Sequence, residues 1–335
     1  MTMLKLDLQL LATQVTTQES LSAEMKTFYD MTLIDEASAN LVHDQFGQKR
    51  PIPANGGKTI EFRKFSPLAK ATTPITEGVT PAGKDLTVTS LTATVNQYGD
   101  YIVQSDVLEL TALDNTILEA TKLLGKQAGS TLDTVVRDVL QSGTNVTYCP
   151  KIVSGAETAV TSRAGLDATA KLTVDVVQQV VAKLRAQNTP TIGGKYVAII
   201  HPYVAYDLMR DPEWIDAHKY SNPTNLYEGE IGEIAGVRFV QTTEAKIYTG
   251  TGCPSGLAVF ASLFMGENAY GVTEITGGGL QTIVKQKGSA GTGDPLDQRS
   301  SVGWKAIKTA EILVQNYLVR VESCSPRFSA TATAN

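Results

Sequence analysis

The residues able to do chemistry are few, and their spacing does not suit it. The chain of 335 residues holds three histidines, His43, His201 and His218, and three cysteines, Cys149, Cys253 and Cys324. No histidine stands in an HExxH motif, and no cysteine has a neighbour at CxxC or Cys/His ligand spacing. The pattern therefore offers neither a zinc site nor a disulfide framework. Cysteines this sparse and scattered suit a reducing cytosol. His201, between an apolar run and Pro202, is expected to be a turn residue rather than a base. Asp211, Glu213 and Asp216 cluster around Trp214, but a helix opening at Pro212 accounts for them. Gly277-Gly278-Gly279 and the run from Gly288 to Gly293 match neither GxxxxGK[ST] nor a strand–GxGxxG–helix context, and read as flexible loops. No GxSxG elbow occurs. No catalytic, cofactor-binding or metal-ligating residue is assigned, and no cofactor is expected.

Two unlike elements dominate the first half of the chain instead. Residues 51–104 read as a long β excursion rich in Thr, Gly and Pro. Strand-like runs lie at Thr59–Phe65 and from Leu86 to Val103, where Val88, Leu91, Ala93 and Val95 are spread among threonines. Pro67, Pro74, Gly78, Pro81 and Gly83 punctuate the polar stretch between them. An isolated two-stranded ribbon is marginal in water, so an arm this thinly apolar is expected to lean on another subunit. Residues 115–142 then read as one amphipathic helix. Thr116-x-x-Glu119 fits a capping box, with Asp114 and Asn115 as competing N-caps, and Gly143 follows the last periodic residues. Ile117, Leu118, Leu124, Ala128, Leu132, Val135, Val139 and Leu140 form its stripe over roughly 40 Å. Gly125 and Gly129 weaken such a helix, which points to a close backbone contact there.

The remaining chain reads as an α+β protein. Residues 1–20 look like a loosely held arm, because Leu4, Leu6, Leu8 and Leu10 alternate with polar residues, and Lys5 and Asp7 interrupt any signal-peptide core. Residues 21–46 look helical, and residues 144–170 look like loops or short strands. A helix is expected over Leu172–Asn188, a central buried strand over Lys195–Ile200 and a helix over Tyr203–Met209. Strands follow at Val237–Gln241, Leu257–Phe264 and Leu280–Lys287, with a closing strand over Ala310–Glu322. The Ser/Ala/Thr tail after Pro326 is expected to be disordered. Apolar residues make up 42% and charged residues 19%, with a net charge of −5. The acidic balance and the lack of a Lys/Arg cluster argue against a protein that grips nucleic acid. No run approaches the ~18 apolar residues of a membrane span.

Two stretches carry a resemblance. They are Gly229–Val240 (Gly-Glu-Ile-Gly-Glu-Ile-Ala-Gly-Val-Arg-Phe-Val) and Asp294–Lys305 (Asp-Pro-Leu-Asp-Gln-Arg-Ser-Ser-Val-Gly-Trp-Lys). With Gly266–Gly271 and His201-Pro202, they resemble major capsid proteins of tailed bacteriophages, within the branch typified by the shell protein of the coliphage N-four. The resemblance implies the Hong Kong 97-like capsid fold and a non-enzymatic shell protein. Residues 1–30 would be the N-terminal arm, 31–50 a linking helix and 51–104 the extended β-hairpin loop. The peripheral domain would span 105–171 with its spine helix at 115–142, and the axial domain 172–300. Residues 301–325 would return to the peripheral domain, and 326–335 would be a flexible tail. The implied partners are copies of the chain in hexamers and pentamers, with scaffolding, portal and decoration proteins, around double-stranded DNA that is not specifically bound. The implied location is the virion, assembled in the bacterial host cytoplasm, without a membrane. Candidate subunit-interface residues are Asp294, Asp297, Arg299 and Trp304, and in the loop Lys58, Lys70 and Lys84. Some relatives crosslink a loop lysine to a neighbour, but no motif here singles one out. The alternative reading is a soluble α/β enzyme or ligand-binding protein with a β-rich insertion.

Overall fold

The computed structural model describes residues 31–37, 41–53, 57–65, 68–75, 77–80, 83–111, 116–219, 232–273, 279–289 and 294–335. The arm expected over residues 1–30, the cap candidates Asp114 and Asn115, the start of the Gly229–Val240 stretch and most of the glycine-rich runs lie outside these residues. The chain divides into two compact units. One comprises Met1–Asn40, Tyr98–Gly129 and Leu280–Ala306, and the other Leu41–Gln97, Ser130–Gly279 and Ile307–Asn335. Helices and strands alternate along the chain, so the α+β class read from the sequence holds.

The second unit is built on a seven-stranded sheet in the order Val146–Tyr148, Leu318–Ser323, Val259–Met265, Tyr196–Ile200, Val237–Gln241, Glu233–Ile234, with Ile247–Tyr248 paired to Val259–Met265. Tyr196–Ile200 is buried at every position. It runs parallel to Val237–Gln241 and antiparallel to Val259–Met265, the central place that its unbroken apolar run predicts. Helix Val174–Ala186 buries Val176, Val177, Val180, Val181 and Leu184, and the Thr173 hydroxyl caps it by accepting from the Val176 N–H. Residues 151–158 make a small hairpin.

Two expectations about the C-terminal third change. The single closing strand over Ala310–Glu322 is two strands, Arg299–Ile312 and Leu318–Ser323, separated by a 3-10 turn at Gln315–Tyr317. Apolar alternation runs on through both pieces, which hides the turn. The second piece lies between Val259–Met265 and Val146–Tyr148, which explains why Leu318, Val319 and Val321 are all buried. Residues 280–300 belong to the first unit. The tail beyond Pro326 is held rather than loose. Phe328 stacks on Tyr203 with ring centroids 4.2 Å apart, and Ala258 N–H donates to Ser329 O at 2.7 Å. The Asn335 side chain accepts from Ile247 N–H at 3.0 Å and donates to Ala245 O at 2.9 Å.

The β excursion is shorter than the sequence suggests. Strands Thr59–Phe65 and Val88–Thr94 pair antiparallel without offset, from Thr59 opposite Thr94 to Phe65 opposite Val88. Ile60, Phe62, Leu91 and Ala93 share one face, with Phe62 and Ala93 buried, and the Phe62 ring lies where a Cβ on Gly271 would stand. Val88 has the other parity and is exposed. The ribbon closes with Val95 N–H donating to Lys58 O at 2.9 Å. The next strand, Asn96–Ser105, pairs with the long strand Arg299–Ile312. Gly99 permits that pairing, since a Cβ there would stand 2.6 Å from Trp304 O.

In the first unit, the leading turns of helix Thr116–Gln141 pack on residues 31–37, which are helical. Gly125 is the contact point, because an added Cβ would come within 2.9 Å of Leu33 O. This is the close approach that a glycine inside a helix implies. The Thr116 hydroxyl donates to Gln104 Oε1, and Glu119 pairs with Lys122 at 2.8 Å, in place of the expected capping box.

Candidate assembly interface

The segment with the most specific sequence signal forms a turn and a strand in the first unit. Asp294 is buried, and its Oδ2 accepts from Arg299 N–H at 2.8 Å. Asp297 N–H donates to Asp294 O at 3.1 Å, which closes the turn. Asp297 itself has φ of +51°, a left-handed conformation that Asp tolerates better than most residues. The Arg299 guanidinium lies 3.8 Å from Asp294. Leu296, at the crown of this turn, is 75% exposed.

Trp304 is buried, as its size predicts, and its indole N–H is satisfied: Nε1 donates to Gln127 Oε1 at 3.3 Å. Gln127 Nε2 donates in turn to Asp100 Oδ2 at 2.7 Å. That bond, with one from the Tyr101 N–H, holds the Asp100 carboxyl below its usual range. Facing outward on the same sheet are Tyr101, Ser301, Ile283 and the glycines Gly99 and Gly303, which line a shallow recess of about 350 Å³.

The lysine candidates belong to the second unit. Lys58 stands exposed at the base of the hairpin, and Lys70 is exposed toward its tip. Lys84 Nζ donates to Ala69 O at 3.0 Å, which ties the two sides of the tip together. Leu68, Ile75, Val79, Leu86 and Val88 are between 46% and 75% exposed, so the tip presents apolar groups that the described residues cover only in part.

The residues whose types could do chemistry are structural. His201 caps helix Pro202–Met209, its Nδ1 accepting from Tyr203 N–H at 3.2 Å. Burial lowers its pKa to about 4. Asp211 accepts from Val174 N–H at 2.9 Å and from Glu213 N–H at 3.3 Å, so one carboxylate serves two helix starts. Burial pushes the Cys149 thiol up, and raises Cys324 to about 12, the reverse of a reactive thiolate. Among the described residues no group of three or more His, Cys, Asp or Glu side chains could hold a metal ion.

A phage capsid protein family matches residues 17–288. The chain belongs to that family. Its members build the protein coat of a virus particle, so this is a structural protein of the phage head. The fold agrees. The capsid protein of the cyanophage P-SCSP1u superposes with a TM-score of 0.65 at 13% identity, over 85% of this chain and 88% of that one. The capsid of the Ralstonia phage GP4 gives 0.63 at 14% identity, over 85% and 88%. That of the cyanophage Pam1 gives 0.58 at 15% identity, over 81% and 86%. At such identities the likeness establishes the fold, which is the Hong Kong 97-like capsid fold. No curated protein matches the chain by sequence.

Sequence reasoning missed the charges that hold this capsid subunit together. Glu322, fully buried, accepts from Arg163 at 2.7 and 2.6 Å and from Arg320 Nε at 3.0 Å. The Arg163 guanidinium also lies 3.6 Å from the centroid of the Tyr248 ring. Asp133 on the spine helix accepts from Val42 N–H at 2.9 Å, His43 N–H at 2.7 Å and His43 Nδ1 at 2.6 Å. No local motif marks the Arg163–Glu322 or His43–Asp133 pair, whose members lie 159 and 90 residues apart.

Proposed function

We propose that this capsid protein assembles into hexamers and pentamers of a closed shell around double-stranded DNA, each copy reaching its neighbour through the tip of its β-hairpin. The exposed apolar tip carries the proposal: Leu68, Ile75, Val79 and Leu86 are each at least 60% exposed on a ribbon too thin to bury them itself. The loop lysines and the Asp294–Arg299 turn are the candidate contacts on either side. Scaffolding, portal and decoration proteins complete the assembly, which takes place in the host cytoplasm.

The wall is a passive container. A chain of net charge −5, with its Lys and Arg scattered in sequence among more numerous acids, is poorly suited to replacing the counterions of DNA. Unassembled protein is expected to show no sub-micromolar binding to duplex DNA near physiological salt. Removing residues 67–83 tests the assembly reading. The expected outcome is a subunit with unchanged circular dichroism that forms no shells in negative stain. Normal shells from that variant would sink the proposed role of the tip.

A further inference from the structure

In the second unit a recess of about 260 Å³ is lined by Asp44, Lys49, Arg50, Pro51, Val272 and Lys308. Two of its charged groups are buried. Lys308 is 6% and Asp44 8% exposed, and the Lys308 ammonium lies 2.8 Å from Asp44 Oδ2. That pair leaves capacity on both sides. An ammonium has three N–H donors, and Lys308 directs one at Asp44. The other carboxylate oxygen, Asp44 Oδ1, is buried and accepts no hydrogen bond among the described residues. Lys49 and Arg50 are exposed beside it, and no described carboxylate forms an ion pair with either. The Arg50 guanidinium only approaches the Phe62 ring, 6.0 Å from its centroid. Three cations therefore face one carboxylate, in a chain that is acidic overall.

We propose that this recess receives an acidic side chain of a second copy of the chain when subunits assemble. The inference rests on the shell reading and deepens it by naming one contact. The incoming carboxylate meets Lys49, Arg50 and the unused Lys308 donors. A free phosphate group fits less well, because it sets up to two negative charges against the Asp44 carboxylate where a side-chain carboxylate sets one. A single recess is also unlike the extended basic stripe that tracks a nucleic-acid backbone. The chain carries suitable carboxylates of its own: Glu77 and Asp85 are exposed between the hairpin strands.

The test compares wild-type protein with a Lys49→Gln/Arg50→Gln variant, and couples amines to carboxylates in assembled shells with a zero-length carbodiimide. Isotope-labelled and unlabelled subunits are mixed so that links between copies are told from links within one. The expected results are an amide from Lys49 or Lys308 to an Asp or Glu of another copy, and a rise of about tenfold in the variant's assembly concentration at unchanged melting temperature. Wild-type shells with an indifferent variant, or links only within a subunit, overturn this inference alone. So does a variant that assembles normally but loses binding of inorganic phosphate or duplex DNA. Wild-type protein that forms no shells overturns the shell reading along with it.

Discussion

The strand Tyr196–Ile200 and the strand Val88–Thr94 are both regular β structure in one unit, yet their surroundings are opposite. The first is buried at all five positions, whereas the second hides only Ala93 well and exposes most of the rest. The first has neighbours on both edges, and the hairpin strand has one. A fully covered strand carries its stability within the subunit. A half-covered ribbon has hydrogen bonds for shape but little buried area, and it acquires the rest from whatever lies against it. The division of labour follows: substitutions in the sheet should act on melting, and those on exposed segments should act on assembly.

The largest expected effect breaks the covered side. Glu322→Ala strands Arg163 and Arg320 in a closed environment and should cost about 3–5 kcal/mol in chemical denaturation, before any shell is formed. A loss under about 1 kcal/mol would show that solvent reaches this cluster. Trp304→Ala should cost about 3–5 kcal/mol because the ring is buried. Trp304→Phe keeps most of the packing and loses only the bond to Gln127, worth about 1 kcal/mol. Equal losses from the two would mean that the ring contributes little.

A smaller effect depends on pH. His201 has a folded pKa lowered to about 4, so between that value and its ordinary 6.5 the folded protein binds fewer protons there than the unfolded chain. Its contribution is complete above pH 6.5 and is lost as pH falls through that window, by about 2–3 kcal/mol at most. His201→Asn keeps a capping acceptor and should flatten melting temperature against pH over this range. An unchanged slope would assign the acid sensitivity to other groups. The smallest effect on melting belongs to the exposed turn. Arg299→Ala should change stability by no more than about 0.5 kcal/mol, since its side chain is 60% exposed. If assembly fails while melting is unaltered, the Asp294–Arg299 turn lies between subunits. Parallel loss of both would place it with the covered sheet.

The regular elements were legible because period and burial agree in them. Spacing along the spine helix, the run Tyr196–Ile200 and the glycine at 125 each imposed a local requirement that the fold meets. Buried charge was not legible. Asp133 and Arg137 lie on a helical row that reads as a solvated face, yet they are 0% and 2% exposed. Only the folded chain brings His43 to one, and Glu244 to the other. The tail was misread for a related reason. Its small polar residues carry no periodic signal, and its hold comes from one aromatic, Phe328, and one amide, Asn335. The end of the excursion was misplaced because the chain stays extended past Val95 into Asn96–Ser105, a strand with a different partner.

The offset-free pairing of Thr59–Phe65 with Val88–Thr94 acts as a ruler for evolution. Ile60, Phe62, Leu91 and Ala93 share a face only because side chains alternate. Adding one residue to each strand would turn the tip over and send its outward groups inward. Adding two to each restores the facing. The distance this ribbon spans can therefore change across related chains only in strides of about 7 Å, two residues at a time on both strands.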